Sequence, residues 1–248
     1  MRPLTNSLIL YLLMLGLLSL NLDLVPDFPS SVYIMYLIVI FAVVFYFSKS
    51  LSWGKKPVPG LLYGIALIGI IFIIEIIAGW VRIESINFNP MLMFSVFILQ
   101  VLVAVGEEVS FRGNIFQNLA DETGIKTGII LSSFMFSAIH IPSFLYSGLD
   151  IQRLVIAFIV IGLLGAIASI LYLNYGLLSA ITFHFAWNFL QYNIFNLNRS
   201  EQGIMKTSFT GTNILTGGGF GPEAGVLGLI IVSVALIALT KKYTKSLN

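Results

Sequence analysis

Long apolar segments, separated by short polar stretches, dominate the chain. Eight of them are apolar enough for membrane-spanning helices, which need roughly 20 mostly apolar residues. We place these segments at about 5–24, 31–48, 61–82, 91–120, 125–142, 152–174, 177–197 and 224–240. The pattern predicts an all-α fold, a polytopic membrane helical bundle of about eight transmembrane helices. No internal repeat or soluble domain is visible, so we expect a single integral-membrane domain over residues 1–248.

The composition agrees with a membrane protein. Of the 248 residues, 58% are hydrophobic and 10% are charged, whereas a soluble globular protein needs a more charged surface. The net charge is only +2, and the chain has no basic patch or stacking motif, which argues against a nucleic-acid partner. The chain has no cysteine, which excludes disulfides, thiolate metal sites, a cysteine nucleophile and S-acylation.

Basic residues are distributed unevenly between the loops, and this bias predicts the orientation. On one side of the predicted bundle lie Lys49, Lys55, Lys56, Lys126, Lys241, Lys242 and Lys245. The loops on the other side carry fewer basic residues: Arg82, Arg153, Arg199 and Lys206. Because basic loops stay on the cytoplasmic side, we expect both termini there. The first segment, LILYLLMLGLLSLNLDLV, lacks a small-residue cleavage site and is predicted to be an uncleaved anchor.

Three charges interrupt the fourth apolar segment, in LVAVGEEVSFRGNIFQ. Glu107 and Glu108 are adjacent, and Arg112 follows Glu108 by one helical turn, a spacing that suits an ion pair. The two histidines of the chain also lie in apolar segments, His140 at the end of FSAIH and His184 at the start of HFAWN. Ionisable groups are costly inside a bilayer, so they mark functional sites or structural pairs.

The fourth and fifth segments form a predicted hairpin with its turn at ADETG, near residue 123. Glu107 lies 16 residues before that position and His140 lies 17 residues after it. Because both helices rise by the same amount per residue, these side chains should reach the same depth, in the cytoplasmic half of the membrane. Pro142 is predicted to end the fifth helix. We expect SFLYSG to cross the remaining distance as irregular chain, shielded by protein.

These residues carry a resemblance to a known family. EEVSFR, FSAIH and HFAWN fit the patterns E-E-x-x-x-R, F-x-x-x-H and H-x-x-x-N. In this order, over about residues 100–190, they resemble the CPBP family, also called the ABI or CAAX-protease family of intramembrane proteases. Its members include the type II CAAX prenyl endopeptidase, bacteriocin self-immunity proteins and peptide-pheromone processors. GGGFGPEAG before the last span is similar to bacterial members, which with the short loops favours a bacterial plasma membrane.

Amide hydrolysis needs an activated water and donors for the developing oxyanion. The resemblance implies that Glu107 is the general base and that His140, at the same depth, orients the water or shares the proton. His184 and Asn188 share one helical face and are assigned to the oxyanion hole. Phe136 is assigned to packing.

Glu108 and Arg112 are given a supporting role as an i,i+4 pair. From the residues alone, the choice of base between Glu107 and Glu108 stays open, because adjacent helical residues point about 100° apart. The alternative for this cluster is a structural ion pair at a helix end.

A metal site is the competing interpretation of the histidines. Glu107, His140 and His184 resemble a catalytic zinc set. However, the H-E-x-x-H motif is absent, and Asn188 beside His184 suits an oxyanion hole better than a ligand set. We therefore favour a reaction without a cofactor, with Zn²⁺ as the alternative.

The sequence thus predicts an intramembrane endopeptidase acting near the cytoplasmic face on a membrane-embedded peptide or lipidated protein within the bilayer. The alternatives are a non-catalytic membrane scaffold, a bacteriocin-immunity protein, and a transporter, although no inverted repeat is visible for the last. No prenyl-binding signature is present, so the sequence does not assign CAAX specificity.

Two features outside the motifs need an interpretation. Glu75 is a lone carboxylate in IIFIIEIIAGW, for which we favour a bond to a neighbouring helix over a place in a cavity. The triple glycine at 217–219 is not a phosphate-binding loop, since no Lys-Ser or Lys-Thr follows it. We expect a flexible outer loop there.

Overall fold

The computed structural model describes residues 3–20, 53–54, 56–198 and 203–244. Ten α-helices lie in these ranges: α1 Pro3–Leu20, α2 Pro57–Ile77, α3 Pro90–Ser110, α4 Phe116–Thr123, α5 Ile125–Ala138, α6 Ile141–Tyr146, α7 Ile151–Tyr175, α8 Leu177–Asn188, α9 Asn213–Thr216 and α10 Val226–Lys242. Two π-helical segments, Phe111–Ile115 and Phe189–Ile194, follow α3 and α8 directly. Short 3₁₀ turns occur at Gly218–Phe220 and Pro222–Ala224. The all-α fold is confirmed, with one small sheet added.

Four helices of the described ranges are long and apolar enough to cross a membrane: Pro57–Ile77, Pro90–Thr123, Ile125–Tyr146 and Ile151–Tyr175. The predicted spans at 177–197 and 224–240 correspond to α8 with its π segment and to α10. The predicted span at 31–48, and the end of the first one, lie outside the described residues. The count of eight transmembrane helices therefore stays a prediction.

Local chemistry fixes where the helices begin. The side chain of Asn89 accepts hydrogen bonds from the backbone N–H groups of Met91 and Leu92, both at 3.1 Å, and Pro90 occupies the first turn of α3, where no N–H donor is needed. Asp150 accepts from the backbone N–H of Arg153 at 2.9 Å and begins α7. This backbone bond, together with the Arg153 side chain, lowers the pKa of Asp150.

Two glycines make the tight connections between long helices. Gly124, with φ of 86°, joins α4 to α5, and Gly176, with φ of 90°, joins α7 to α8. Only glycine adopts these angles without strain. The predicted turn near residue 123 is confirmed. We call this end of the bundle the turn end.

The fifth predicted helix is interrupted. α5 ends at Ala138, and α6 begins at Ile141 and runs to Tyr146. Pro142 lies in the first turn of α6, where its missing N–H costs no hydrogen bond. Pro142 therefore starts a helix instead of ending one, and the prediction of irregular chain over SFLYSG is wrong.

A two-stranded antiparallel sheet closes the opposite end of the bundle. β1 (Val81–Ile86) pairs with β2 (Met205–Phe209), with an irregularity between Ile83 and Ser85. Asn196, just after the second π segment, donates from its side chain to the Met205 carbonyl at 3.0 Å. The sheet therefore marks the end of the bundle towards which α8 runs. We call it the sheet end.

Close packing of α2 against α8 orients the helix that carries the HFAWN motif. Gly60 lies against the Ser179 carbonyl, and a Cβ on Gly64 would lie 2.7 Å from the Ala186 Cβ. Phe72 stacks on Phe195 with ring centroids 4.2 Å apart. Because residues later in α2 contact residues later in α8 and its π segment, the two helices run parallel. Small residues let membrane helices approach this closely, and the opposite face of α8 is left for the interior.

Candidate active site

Glu108 joins the cluster of ionisable groups. Its Oε1 atom accepts a hydrogen bond from Nη1 of Arg112 at 3.0 Å and one from Nδ1 of His184 at 2.9 Å. Glu108 and Arg112 are each only 1% exposed. Since a carboxylate oxygen accepts, the Nδ1 atom of His184 carries a proton. Glu108 is thus occupied in holding a cation and an imidazole in place.

Arg112 lies in the first π segment and connects three elements. Its Nη2 atom donates to the Gly165 carbonyl of α7 at 2.8 Å. Its guanidinium lies over the Phe136 ring, 4.5 Å from the centroid, a favourable cation–π distance. Glycine at position 165 allows this approach, because a Cβ there would lie 3.0 Å from Nη2 of Arg112, which would have to shift. A buried charge paired through both terminal nitrogens and stacked on an aromatic ring is costly to disturb.

Glu107 faces both histidines. Its Oε2 atom lies 3.9 Å from Nε2 of His140 and 3.9 Å from Nε2 of His184. The Nδ1 atom of His140 lies 2.8 Å from the Phe136 carbonyl, which only accepts, so Nδ1 is the donor. Nε2 of His140 is therefore the nitrogen turned towards Glu107. The predicted common depth of Glu107 and His140 is confirmed.

A cavity of about 260 Å³ contains this cluster. All six residues that the sequence singled out line it: Glu107, Glu108, Arg112, His140, His184 and Asn188. Phe136 also lines the cavity and packs edge-to-face on both imidazoles, with centroids at 5.0 and 6.1 Å. The structure therefore brings the three motifs together around one cavity.

The cavity has a closed side and an open side. Buried side chains close it towards the turn end, among them Arg112, Ala168 and Phe183. The exposed residues of its lining lie beyond the histidines towards the sheet end: Ser143, Ser147 and Gly219. The mouth therefore opens away from the turn end, where Lys56, Lys126, Lys241 and Lys242 lie.

The sequence interpretation missed Glu223. This residue is 5% exposed and lines the cavity together with Trp187 and Tyr192. Its carboxylate accepts from Nε1 of Trp187 at 2.8 Å and from the Tyr192 hydroxyl at 3.1 Å. The one available signal was an acid in a glycine-rich stretch directly before the last span.

The outer loop was predicted for the triple glycine at 217–219. Gly217 and Gly218 are buried and Gly219 is exposed, so the prediction is wrong for the first two glycines. Residues 221–225, which include Glu223, are all buried, and the Pro222–Ala224 turn lies against α7 and α10. Gly219 and the half-buried Phe220 lie at the cavity mouth.

Glu75 lies outside the cavity. It is 1% exposed in α2, and neither carboxylate oxygen has a hydrogen-bond partner within the described ranges. The favoured interpretation, a bond to a neighbouring helix, is therefore not seen there. The alternative of a place in the cavity is wrong as well.

The zinc alternative can be tested against the geometry. Ligand atoms on a tetrahedral zinc lie about 3.3 Å apart, whereas Glu107 Oε2 lies 3.9 Å from each histidine nitrogen. Within the described part of the chain, no group of three or more histidine or acidic side chains is arranged to hold a metal ion. These two distances are longer than a bound zinc requires. The choice between zinc and a metal-independent reaction stays a prediction, and we derive no step through a metal.

Comparison with known proteins supports the resemblance carried by the motifs. Residues 87–190 match the family model described as type II CAAX prenyl endopeptidase Rce1-like. The matched range contains both histidines, both glutamates of the cluster and Arg112. No curated protein matches the chain.

Proposed function

Residues 87–190 belong to the CPBP or CAAX-protease family, and on this premise we propose that the protein is an intramembrane endopeptidase. It hydrolyses a peptide bond in a membrane-associated or lipidated peptide or protein. The observation that carries the proposal is the position of Glu107 Oε2, 3.9 Å from Nε2 of both His140 and His184. This distance is too long for a direct hydrogen bond and suits a water molecule held between the three groups.

Glu107 acts as the general base. It takes a proton from the bridging water as the water oxygen bonds to the carbonyl carbon of the substrate. His140 orients this water, because its Nδ1–H is bound to the Phe136 carbonyl and its Nε2 faces Glu107 and the bridging water. When the C–N bond breaks, Glu107 returns the proton to the leaving amine. The peptide and one water are thereby converted to an acid and an amine.

His184 and Asn188 stabilise the oxyanion of the tetrahedral intermediate. Because Nδ1–H of His184 is bound to Glu108, the ring donates from Nε2 only as an imidazolium, and the Glu108 carboxylate stabilises that form. Asn188 donates through its side-chain amide in either state. The bond between Glu108 and His184 supports Glu107 as the base and Glu108 as the residue that stabilises the donating form of His184.

The position of the cavity mouth bears on substrate access. The sequence predicted cleavage near the cytoplasmic face, with both termini on that side. The mouth opens towards the sheet end, opposite the lysine-rich turn end. With the turn end cytoplasmic in a bacterial plasma membrane, as the basic residues favour, we propose that the substrate segment approaches from the opposite face. Lipidated, pheromone-precursor and bacteriocin-like peptides are suitable candidates.

The proposal is tested by cleavage of a membrane-peptide library with protein purified in detergent. Wild type is compared with Glu107→Ala and His140→Ala, and with Glu84→Ala, an exposed glutamate of β1 that serves as control. We expect cleavage by wild type and the control, a loss of about 100-fold or more in both cavity variants, and no effect of a strong zinc chelator. Loss with chelator and recovery with zinc would refute the metal-independent mechanism. Equal cleavage by all four proteins would refute the assignment of the site.

A further inference from the structure

Glu223 is mounted on a rigid support. The glycine-rich stretch 217–225 folds on itself so closely that Gly217 lies against the Gly221 carbonyl. A Cβ on Gly225 would lie 2.6 Å from the Leu215 carbonyl. Substituted residues would therefore clash with backbone, which has little freedom to move. The Pro222–Ala224 turn packs on α7 and α10, so the carboxylate of Glu223 is held at a fixed place on the cavity wall.

Three side-chain donors from one segment reach this carboxylate. Oε1 accepts from Nε1 of Trp187 at 2.8 Å. Oε2 accepts from the Tyr192 hydroxyl at 3.1 Å and from Nε2 of Gln191 at 3.3 Å. Gln191 is fully buried. The donors lie on α8 and its π extension, the same segment that presents the HFAWN motif to the cavity.

The π segment explains how three donors reach one acceptor. In an α-helix, adjacent residues point about 100° apart, so Gln191 and Tyr192 would diverge. The wider π turn, closed by the bond from the Phe195 N–H to the Leu190 carbonyl, holds one residue more per turn and turns less per residue. Such turns frequently occur at functional sites. The three donors can therefore lie on one face of the helix. Trp187 is part of that face and lies within one turn of both His184 and Asn188.

We propose that Glu223 is a positioning residue of the hydrolytic site. By accepting these three hydrogen bonds it fixes the rotation of α8 and so aims His184 and Asn188 at the reacting carbonyl. The inference rests on the proposed endopeptidase function. A small misplacement of oxyanion donors is expected to reduce the rate much more than substrate binding.

Glutamine is the informative replacement. A carboxylate only accepts, whereas a glutamine amide offers one accepting oxygen and one donating NH₂ group. At position 223 the NH₂ group would face a donor, either Trp187 or the pair Gln191 and Tyr192. Trp187 can only donate, so it loses its partner in the first case. In the second case the Gln191 amide and the Tyr192 hydroxyl must turn to accept instead of donate, so at least one hydrogen bond of the network is lost or reversed while volume and shape are kept.

The kinetic test compares Glu223→Gln with Glu84→Gln, a control for the same chemical change at an exposed site. For Glu223→Gln we expect kcat to fall by about 10- to 100-fold, with KM changed by less than about threefold. Adding Gln191→Glu restores an acceptor facing the new amide and should recover most of the lost kcat. An unchanged kcat, or a loss confined to KM, would overturn the inference.

A second measurement needs no substrate. The chain has three tryptophans, so Trp53→Phe with Trp80→Phe leaves Trp187 as the single emitter. We expect Glu223→Gln to shift its emission and Glu84→Gln to leave it unchanged. If Glu223→Gln does not purify as a folded protein, Glu223→Asp, which keeps the charge but shortens the reach, takes its place in both measurements. An unshifted emission would show that Glu223 does not hold Trp187.

The two proposals fail differently. If wild type cleaves no peptide, the endopeptidase function fails, whatever the emission of Trp187 shows. If wild type cleaves and Glu223→Gln keeps full kcat, the function stands and the positioning role is refuted.

Discussion

The two π segments perform the same task with opposite chemistry. Phe111–Ile115 follows the glutamate pair and lies on the closed side of the cavity, where a cation, Arg112, is held by a carboxylate, a carbonyl and an aromatic ring. Phe189–Ile194 follows the second histidine on the side of the mouth, where a carboxylate, Glu223, is held by neutral donors. In both, the widened turn aims buried polar groups across the bundle. The same type of turn thus occurs beside an ion pair and beside a single carboxylate held by neutral donors.

The comparison predicts that the first segment is the more sensitive of the two. Arg112→Ala removes the cation and leaves the Glu108 carboxylate buried with only His184 opposite. We expect a loss of about 3–5 kcal/mol in the free energy of unfolding, together with loss of cleavage. Thermal or denaturant unfolding in detergent measures the stability. A loss no larger than that of Glu223→Gln would contradict the ranking of the two segments.

A smaller change tests the carbonyl contact of Arg112 without removing a charge. Gly165→Ala places a Cβ 3.0 Å from Nη2 of Arg112, whereas Gly162→Ala, one turn earlier in α7, meets nothing closer than 3.7 Å. We expect Gly165→Ala to lower the free energy of unfolding by about 1–3 kcal/mol and Gly162→Ala to have little effect. Equal melting temperatures for the two variants would show that the guanidinium can move aside.

Single introduced cysteines are expected to have the smallest effect on activity. Their labelling shows on which side of the membrane the mouth and the turn end lie. Because the chain has no cysteine, Ser147→Cys marks the mouth and Glu122→Cys marks the turn end. We expect a membrane-impermeant maleimide to label Ser147→Cys in intact cells and Glu122→Cys only after permeabilisation. Activity should be close to that of wild type in both. The reverse labelling would invert the proposed orientation.

The sequence predicted the residues of the closed side well. Charges inside an apolar segment stand out, and counting residues on either side of the ADETG turn placed Glu107 and His140 at one depth. Glu108 also reaches His184, a contact that counting alone did not give. The roles of these residues stay predictions, since geometry does not measure catalysis.

The sequence predicted the mouth side poorly, for physical reasons. A single inserted residue leaves no mark in a hydropathy pattern, so the π segment Phe189–Ile194 was not predicted, and neither was Phe111–Ile115 on the closed side. Glu223 lies in a glycine-rich stretch that has the composition of a loop, and only the close backbone packing makes that stretch rigid. Pro142 was expected to break a helix because its position relative to the first turn of α6 cannot be deduced from composition.

The π segments also make chain length, besides residue identity, a fragile property of this site. A π turn is an α-helix that carries one additional residue, and the wider turn absorbs that residue, so the helices before and after it keep nearly the rotation of a regular α-helix one residue shorter. One further residue inserted at Phe111–Ile115, without a second wide turn, would rotate everything before it by about 100° relative to everything after it. The glutamates and α4 would then no longer face their present neighbours together. A one-residue insertion at this point is therefore expected to be more damaging than most substitutions there.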